Sequence, residues 1–280
     1  MFKDVVKDLM ALILEDIKNL SLDSGLLASI TRDDVYSQLW SQVSALAAGV
    51  FRTLALSVLA IFMLIEFLEL SDRFSSNQLP DLMKPIGILV AKLALAITII
   101  NQSTNILHAV YDGFLDISKQ ITMTSSLSVA TDLSAFNTAV DDMSLGTQVV
   151  CMLVLFIAVL GTKIAWAFIQ ILTIGRFIQI YIYVAVAPAP IATLPNREWS
   201  SIGKGFLKSF VSICLQGCIL VLILYFFPTI ASTLVTAIIP DGSGIGGVLT
   251  AFANIFVMLG ALLMGLKGAK TMADKICGVM

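Results

Sequence analysis

Long apolar runs separated by short polar stretches dominate this sequence. Four of the runs are long enough for an α-helix to cross a bilayer, which takes roughly 20 residues: Ser44–Leu68, Pro85–Leu107, Phe206–Phe227 and Val248–Leu266. A fifth run, Thr147–Leu194, is about twice as long as one crossing requires. The pattern therefore predicts an all-α, polytopic membrane protein with about five transmembrane helices.

The distribution of basic residues decides how often the fifth run crosses. The segment 108–146 has one basic residue, Lys119, and five aspartates, whereas Arg197 and Lys204 lie just before the run Phe206–Phe227. Lys and Arg concentrate in cytoplasmic loops, so the first segment is predicted outside the cell and the second inside. Thr147–Leu194 then crosses once. The predicted topology has the N-terminal segment outside and the C-terminus in the cytoplasm.

One crossing leaves Thr147–Leu194 too long, and its prolines indicate where the helix breaks. Pro188 and Pro190 lack the backbone N–H and disfavour helix in the residue before each of them. Asn196 is a predicted N-cap, with Glu198 in the first turn of the helix that follows. We expect an overlong helix, broken by proline, that leads through a short junction into the next span.

The chain divides into two predicted parts. Residues 1–43 contain an amphipathic N-terminal helix whose charged side chains, Asp16 among them, lie largely on one face, as in helices that lie in the membrane interface or pack on a partner. Residues 44–280 form the membrane domain. That domain includes an external loop, 108–146, expected to form short helices, and a cytoplasmic junction, 195–205.

Polar side chains within the spans are the candidate functional residues, because each charge at the bilayer centre costs about 2.5 to 3.5 kcal/mol. Such residues line a hydrated path or bond between helices, or their charges snorkel to the headgroups. Arg52 and Glu66 lie nearer the span ends, where snorkelling is favoured. The candidates for a path or for interhelical bonds are Lys92, Lys163, Arg176 and Gln216.

Composition excludes several classes of function. The chain is 58% apolar and 13% charged with a formal net charge of -2, so it lacks the clustered cations of a nucleic-acid-binding surface. It has no GxxxxGK[ST] phosphate-binding loop and one histidine, His108, without a nucleophile motif. The four cysteines form no CxxC pair. We predict no enzymatic activity and no cofactor.

The sequence around the proline break is similar to a known family. The segment Ile178–Phe227 resembles the TrbL-like polytopic membrane proteins of conjugative type IV secretion systems, relatives of the sixth VirB protein. The similarity is closest to the compact members found on Gram-positive integrative elements, and it extends more weakly over residues 46–280. Its matching positions are Ala187, Pro188, Pro190, Ala192, Thr193, Asn196, Arg197, Glu198, Ser200, Ile202, Gly203, Phe206, Leu207, Lys208, Ser209, Gln216 and Gly217.

The resemblance implies a core inner-membrane subunit of a conjugation channel. It implies assembly with itself, with other channel subunits and with ATPases, and transient passage of relaxase-bound single-stranded DNA. The junction residues singled out for docking or gating are Pro188, Pro190, Asn196, Arg197, Glu198 and Gly203. Two alternatives stay open: a small-molecule transporter, in which broken helices and intramembrane charges mark a binding site, and a structural scaffold. Membrane lipids are expected partners in every case.

Overall fold

A computed structural model describes residues 2–20, 33–74, 83–123, 134–236 and 245–279. These residues are almost entirely helical and contain no strand. Their helices are α1 (Phe2–Leu20), α2 (Asp33–Leu46), α3 (Arg52–Phe74), α4 (Met83–Met123), α5 (Ser134–Asp141), α6 (Leu145–Val186), α7 (Pro188–Ile191), α8 (Ser200–Thr236) and α9 (Ile245–Cys277), with a π-helical turn, Ala47–Phe51, between α2 and α3.

Five stretches of the described helices are long and apolar enough to cross a membrane: Gln38–Asp72, Pro85–Ile121, Leu145–Val186, Ser200–Phe227 and Phe252–Cys277. The prediction of an all-α, multi-pass membrane protein with five spans is thereby confirmed. Each predicted run overlaps one of these stretches, and Thr147–Leu194 continues past Val186.

The third span is one overlong helix, as predicted. Helix α6 has 42 residues, which at 1.5 Å per residue is about 63 Å, twice the thickness of the hydrocarbon core. It ends at Val186, immediately before the Ala187-Pro188 dipeptide. The break therefore occurs where the missing proline N–H groups require it.

The predicted loop 108–146 is more helical than expected. Helix α4 continues through Met123, so the first part of that loop extends the second span. Leu107 and Tyr111, one turn apart on α4, are both buried in an apolar cluster, which explains why the helix does not end at the span boundary. Residues 134–141 form the short helix α5, and residues 124–133 of the predicted loop lie outside the described part.

The chain divides into two compact units; four of the boundaries fall within helices α4, α6, α8 and α9, and the fifth lies between Arg32 and Asp33. Unit 1 comprises Met1–Arg32, Asp116–Gly175 and Gln216–Met272. Its core combines the apolar face of α1 with side chains of α5, α6, α8 and α9. Fully buried examples are Ile13 of α1 and Leu155 of α6.

Unit 2 comprises Asp33–Leu115, Arg176–Leu215 and Ala273–Met280. Its core joins α3, α4, the end of α6, the junction and the start of α8. Within it α7 packs against α3, and the ring of Tyr183 stacks on Phe206 with centroids 5.2 Å apart. The proline junction belongs entirely to this unit.

Candidate functional site

Lys163, a predicted intramembrane candidate, forms an ion pair with α1. Its Nζ donates to Asp16 Oδ1 at 2.5 Å, and the neighbouring Thr162 Oγ1 donates to Asp16 Oδ2 at 2.8 Å. The Asp16 side chain is 9% exposed and that of Lys163 is 58% exposed. Both carboxylate oxygens of Asp16 are therefore satisfied by adjacent residues of α6.

The assignment of Asp16 to the polar face of the N-terminal helix was wrong. Asp16 is buried beside Ile13 and Ile17, on the side of α1 that faces the unit 1 core. Its partners lie almost 150 residues away along the chain, so helical periodicity alone gives no sign of them. The only signal in the sequence is the presence of an unmatched lysine, Lys163, inside a span.

A second polar contact joins α1 to the helix that ends at Asp141. Lys7 Nζ donates to both carboxylate oxygens of Asp141, at 2.9 and 3.0 Å, and Lys3 Nζ donates to its backbone oxygen at 2.7 Å. These groups are partly exposed, so each pair contributes at most about 1 kcal/mol. Their main effect is to fix α1 beside α5.

Lys92, the other deep candidate, pairs with the first span. Its Nζ lies 3.3 Å from Oε1 and 3.5 Å from Oε2 of Glu66. The Glu66 side chain is 13% exposed and that of Lys92 is 44% exposed. The expectation that Glu66 snorkels alone to the headgroups was wrong, because α3 and α4 place it within reach of the lysine.

The remaining two predicted residues are buried. Arg176 of α6 and Gln216 of α8 are each 8% exposed. Arg176 and Lys92 belong to unit 2, whereas Gln216 and Lys163 belong to unit 1. The four candidates are thus shared between two separate cores, and each of the two lysines has its own carboxylate.

The junction compensates for its prolines with a run of short-range hydrogen bonds. The amides of Ile191 and Ala192 donate to the carbonyls of Ala187 and Pro188 at 3.2 and 3.1 Å. Thr193 donates twice to the Pro190 carbonyl, from its backbone N at 3.1 Å and from Oγ1 at 2.8 Å. These bonds keep the backbone of the junction paired where the prolines interrupt the helix.

Gly203 closes the junction against the next helix. Its amide donates to Thr193 Oγ1 at 3.0 Å. A Cβ built at this position meets Leu194 Cγ at 2.7 Å and the Pro190 carbonyl oxygen at 2.8 Å, so only glycine permits this approach. Gly205, two residues further along α8, has no atom within 4 Å of its Cβ position.

Asn196 caps the turn that precedes α8, but α8 begins only at Ser200, so the prediction that Glu198 lies in its first turn was wrong. Its Oδ1 accepts hydrogen bonds from the amides of Glu198 and Trp199 at 2.9 and 3.2 Å, and the residue is 5% exposed. Arg197 and Glu198 are exposed. The Trp199 ring lies 5.7 Å from that of Phe62 on α3, so the turn is held on one side and open on the other.

The arrangement offers positioned polar groups rather than reactive ones. Within the described residues, no group of three or more His, Cys, Asp or Glu side chains is placed to hold a metal ion. His108 contacts Asp112 one turn along α4, with Nδ1 and Oδ2 2.5 Å apart, and the His108 ring packs edge-on against Trp40. The polar groups of the site therefore join helices and stabilise a partly exposed turn.

These features define a polytopic α-helical membrane protein whose third span is broken at a buried junction. The chain matches the family described as TrbL/VirB6 plasmid conjugal transfer like protein over residues 28–188, more than half of its length, and it belongs to that family. No curated protein and no solved structure matches the chain. It is a membrane component of conjugal transfer, a process in which such components associate with others of the transfer system.

The matched region and the segment of strongest resemblance barely overlap. The match includes the first two spans and α6 and stops at Pro188, whereas the resemblance around the proline break runs from Ile178 to Phe227. The family assignment therefore rests on the first three spans, and the junction after Pro188 is additional to it.

Proposed function

We propose that the chain is a core membrane subunit of a conjugative type IV secretion channel, and that it shapes the path by which relaxase-bound single-stranded DNA crosses the inner membrane. The match to the TrbL/VirB6 plasmid conjugal transfer like family over residues 28–188 carries this proposal. Separate ATPases drive transfer, since the chain has no GxxxxGK[ST] loop. The subunit assembles with copies of itself and with other channel subunits.

The proposed orientation places the N-terminal segment and residues 108–146 outside the cell and the C-terminus in the cytoplasm. The contacts of Lys3 and Lys7 with Asp141 support a common side for α1 and α5. Lys204 lies in the junction and Lys208 just after it, and Lys267, Lys270 and Lys275 occur near the C-terminus. This bias places both regions on the cytoplasmic side.

In this proposal the main role of Lys92 and Lys163 is to join helices rather than to bind DNA. Each lysine lies within 3.3 Å of a carboxylate on another helix, so each pair is close to electrically neutral. A net charge of -2 over the chain fits the same role, because tight binding of phosphates requires an excess of cations. Arg176 and Gln216 are buried and act within the cores of unit 2 and unit 1, respectively.

The junction, in turn, serves as a docking or gating platform on the cytoplasmic side. Its backbone is fixed by Thr193, Asn196 and Gly203, while Arg197 and Glu198 remain exposed. A rigid turn with exposed charges suits recognition by another subunit, since little conformational entropy is lost on binding.

Deletion of the gene in a donor cell tests the proposal against its alternatives. We expect transfer of the conjugative element to be lost and to return on complementation, with donor growth and solute uptake unchanged. Normal transfer in the deletion strain would refute the proposal. Loss of uptake of a solute, with transfer intact, would instead identify a small-molecule transporter.

A further inference from the structure

A groove of about 180 Å³ lies between helix α4 and the proline junction. Its walls are almost wholly apolar, and one charged side chain reaches it. We name it the α4–junction groove after the residues that line it: Lys92, Leu95, Ala96, Ile99, Ile191, Leu194 and Pro195.

The size and lining of the groove favour hydrocarbon over water. An apolar cavity of about 150 Å³ stays dry and accepts a molecule the size of benzene. The groove is of similar volume, and the ordered water that fills polar cavities needs two to four polar partners. Lys92 lies within the second span, Pro85–Ile121. In a membrane, the hydrocarbon around such a span is provided by the acyl chains of lipids.

Lys92 is the more exposed partner of the ion pair at the groove. Its side chain is 44% exposed, while Glu66 behind it is only 13% exposed. The distances of 3.3 and 3.5 Å to the Glu66 oxygens are longer than the 2.7–2.9 Å of strong charge-assisted bonds. An ammonium group has three donors, so Lys92 retains the capacity to donate to an additional anionic acceptor.

We infer that the α4–junction groove binds an anionic phospholipid, with an acyl chain along Leu95 and Ile99 and the headgroup phosphate on Lys92. The apolar wall complements an acyl chain, and the partly exposed Lys92 ammonium, whose contacts with Glu66 are long, complements a phosphate. The inference is independent of the proposed role in DNA transfer. A lipid held there would fix the packing of α4 against the junction.

Native mass spectrometry of the detergent-purified, full-length protein with palmitoyl-oleoyl phosphatidylglycerol or phosphatidylcholine tests this inference. A lysine near an anionic headgroup contributes about 1 kcal/mol, or roughly a fivefold preference in binding. We expect the wild-type protein to retain phosphatidylglycerol about fivefold better. Lys92→Gln should abolish the preference and Lys92→Arg should keep it, whereas Lys204→Gln, which removes an exposed cation outside the groove, should leave it unchanged.

A second pair of variants tests the apolar wall. Ala96 lines the groove and is 4% exposed, so Ala96→Leu should fill the groove and lower retention of both lipids. Ala94→Leu, on the exposed face of the same helix, is the matched control. Equal retention of the two lipids by the wild type, an unchanged preference in Lys92→Gln, or full retention in Ala96→Leu would each overturn the inference.

Discussion

Asp16 and Lys163, 147 positions apart, form an ion pair at 2.5 Å that attaches the N-terminal helix to the middle of the longest span. Thr162 donates to the second oxygen of the same carboxylate. An amphipathic helix that carries its own buried anion docks at one register only, because any slip along α6 would leave Asp16 buried without a partner. The pair thus specifies where α1 lies within unit 1.

Removing the anion should loosen this helix. Asp16→Asn leaves Lys163 without its carboxylate, and since hydrogen bonds to charged groups contribute about 1.5–3 kcal/mol and exposed pairs much less, we expect a loss of about 1–2 kcal/mol. Unfolding of the purified protein in increasing SDS measures it. Glu15→Gln alters the exposed neighbouring carboxylate on α1 and should change little; equal effects of the two variants would show that the pair has no special role.

Reversing the charge of Lys92 alone should be harmful, whereas reversing the charges of Lys92 and Glu66 together should be tolerated. Lys92→Glu places two carboxylates side by side between α3 and α4, and like charges in a region of low dielectric repel strongly. We expect low accumulation of this variant in the membrane and recovery in the double variant Lys92→Glu with Glu66→Lys. Immunoblotting of membrane fractions measures both, with the exposed Glu69→Lys as control. No recovery in the double variant would argue against direct pairing.

Two variants of Asn196 test its role as the cap of the turn before α8. Asn196→Ala removes the acceptor for two backbone amides and should cost about 1 kcal/mol, whereas Asn196→Asp keeps an acceptor and should be tolerated. The same SDS titration measures the difference. Equal stability of the two variants would mean that Asn196 contributes through burial alone.

Single introduced cysteines test the proposed topology. Cys151, Cys214 and Cys218 are buried, so a protein in which Cys277 is replaced with serine should react little with maleimides. Exposed positions are available on α1 at Glu15, beside α5 at Asp142 and on α8 at Lys204. A membrane-impermeant maleimide should label Glu15→Cys and Asp142→Cys in intact cells, and Lys204→Cys only after permeabilisation.

The opposite pattern at Lys204 would invert the topology. Labelling of Glu15→Cys and Asp142→Cys from different sides would contradict the contact between α1 and α5. The two results are distinguishable in one set of reactions.

Features encoded locally were predictable from the sequence. The five spans follow from apolar length and the end of α6 from the prolines, whereas the helix predicted to start at Asn196 begins four residues later, after a turn that Asn196 caps. The extension of α4 was missed although its signal is local: Leu107 and Tyr111 continue the apolar face of the helix past the predicted span end.

Features set by distant partners were not predictable. Asp16 looks like any other charge on an amphipathic helix until α6 brings Lys163 to it. Glu66 looks like a residue at a span end until α4 places Lys92 beside it. In both cases the lysine was recognised as unusual, because a charge inside a span is costly, but one sequence does not reveal the partner.

The most direct test of a transfer role centred on the junction is the complementation of a deletion donor by two glycine variants. Gly203→Ala drives a Cβ against Leu194 and the Pro190 carbonyl, whereas the Cβ of Gly205→Ala enters open space. With equal amounts of each protein in the membrane, we predict that wild type and Gly205→Ala restore transfer frequency and that Gly203→Ala lowers it at least about tenfold. Full transfer with Gly203→Ala, or normal transfer by the uncomplemented deletion donor, would contradict the account.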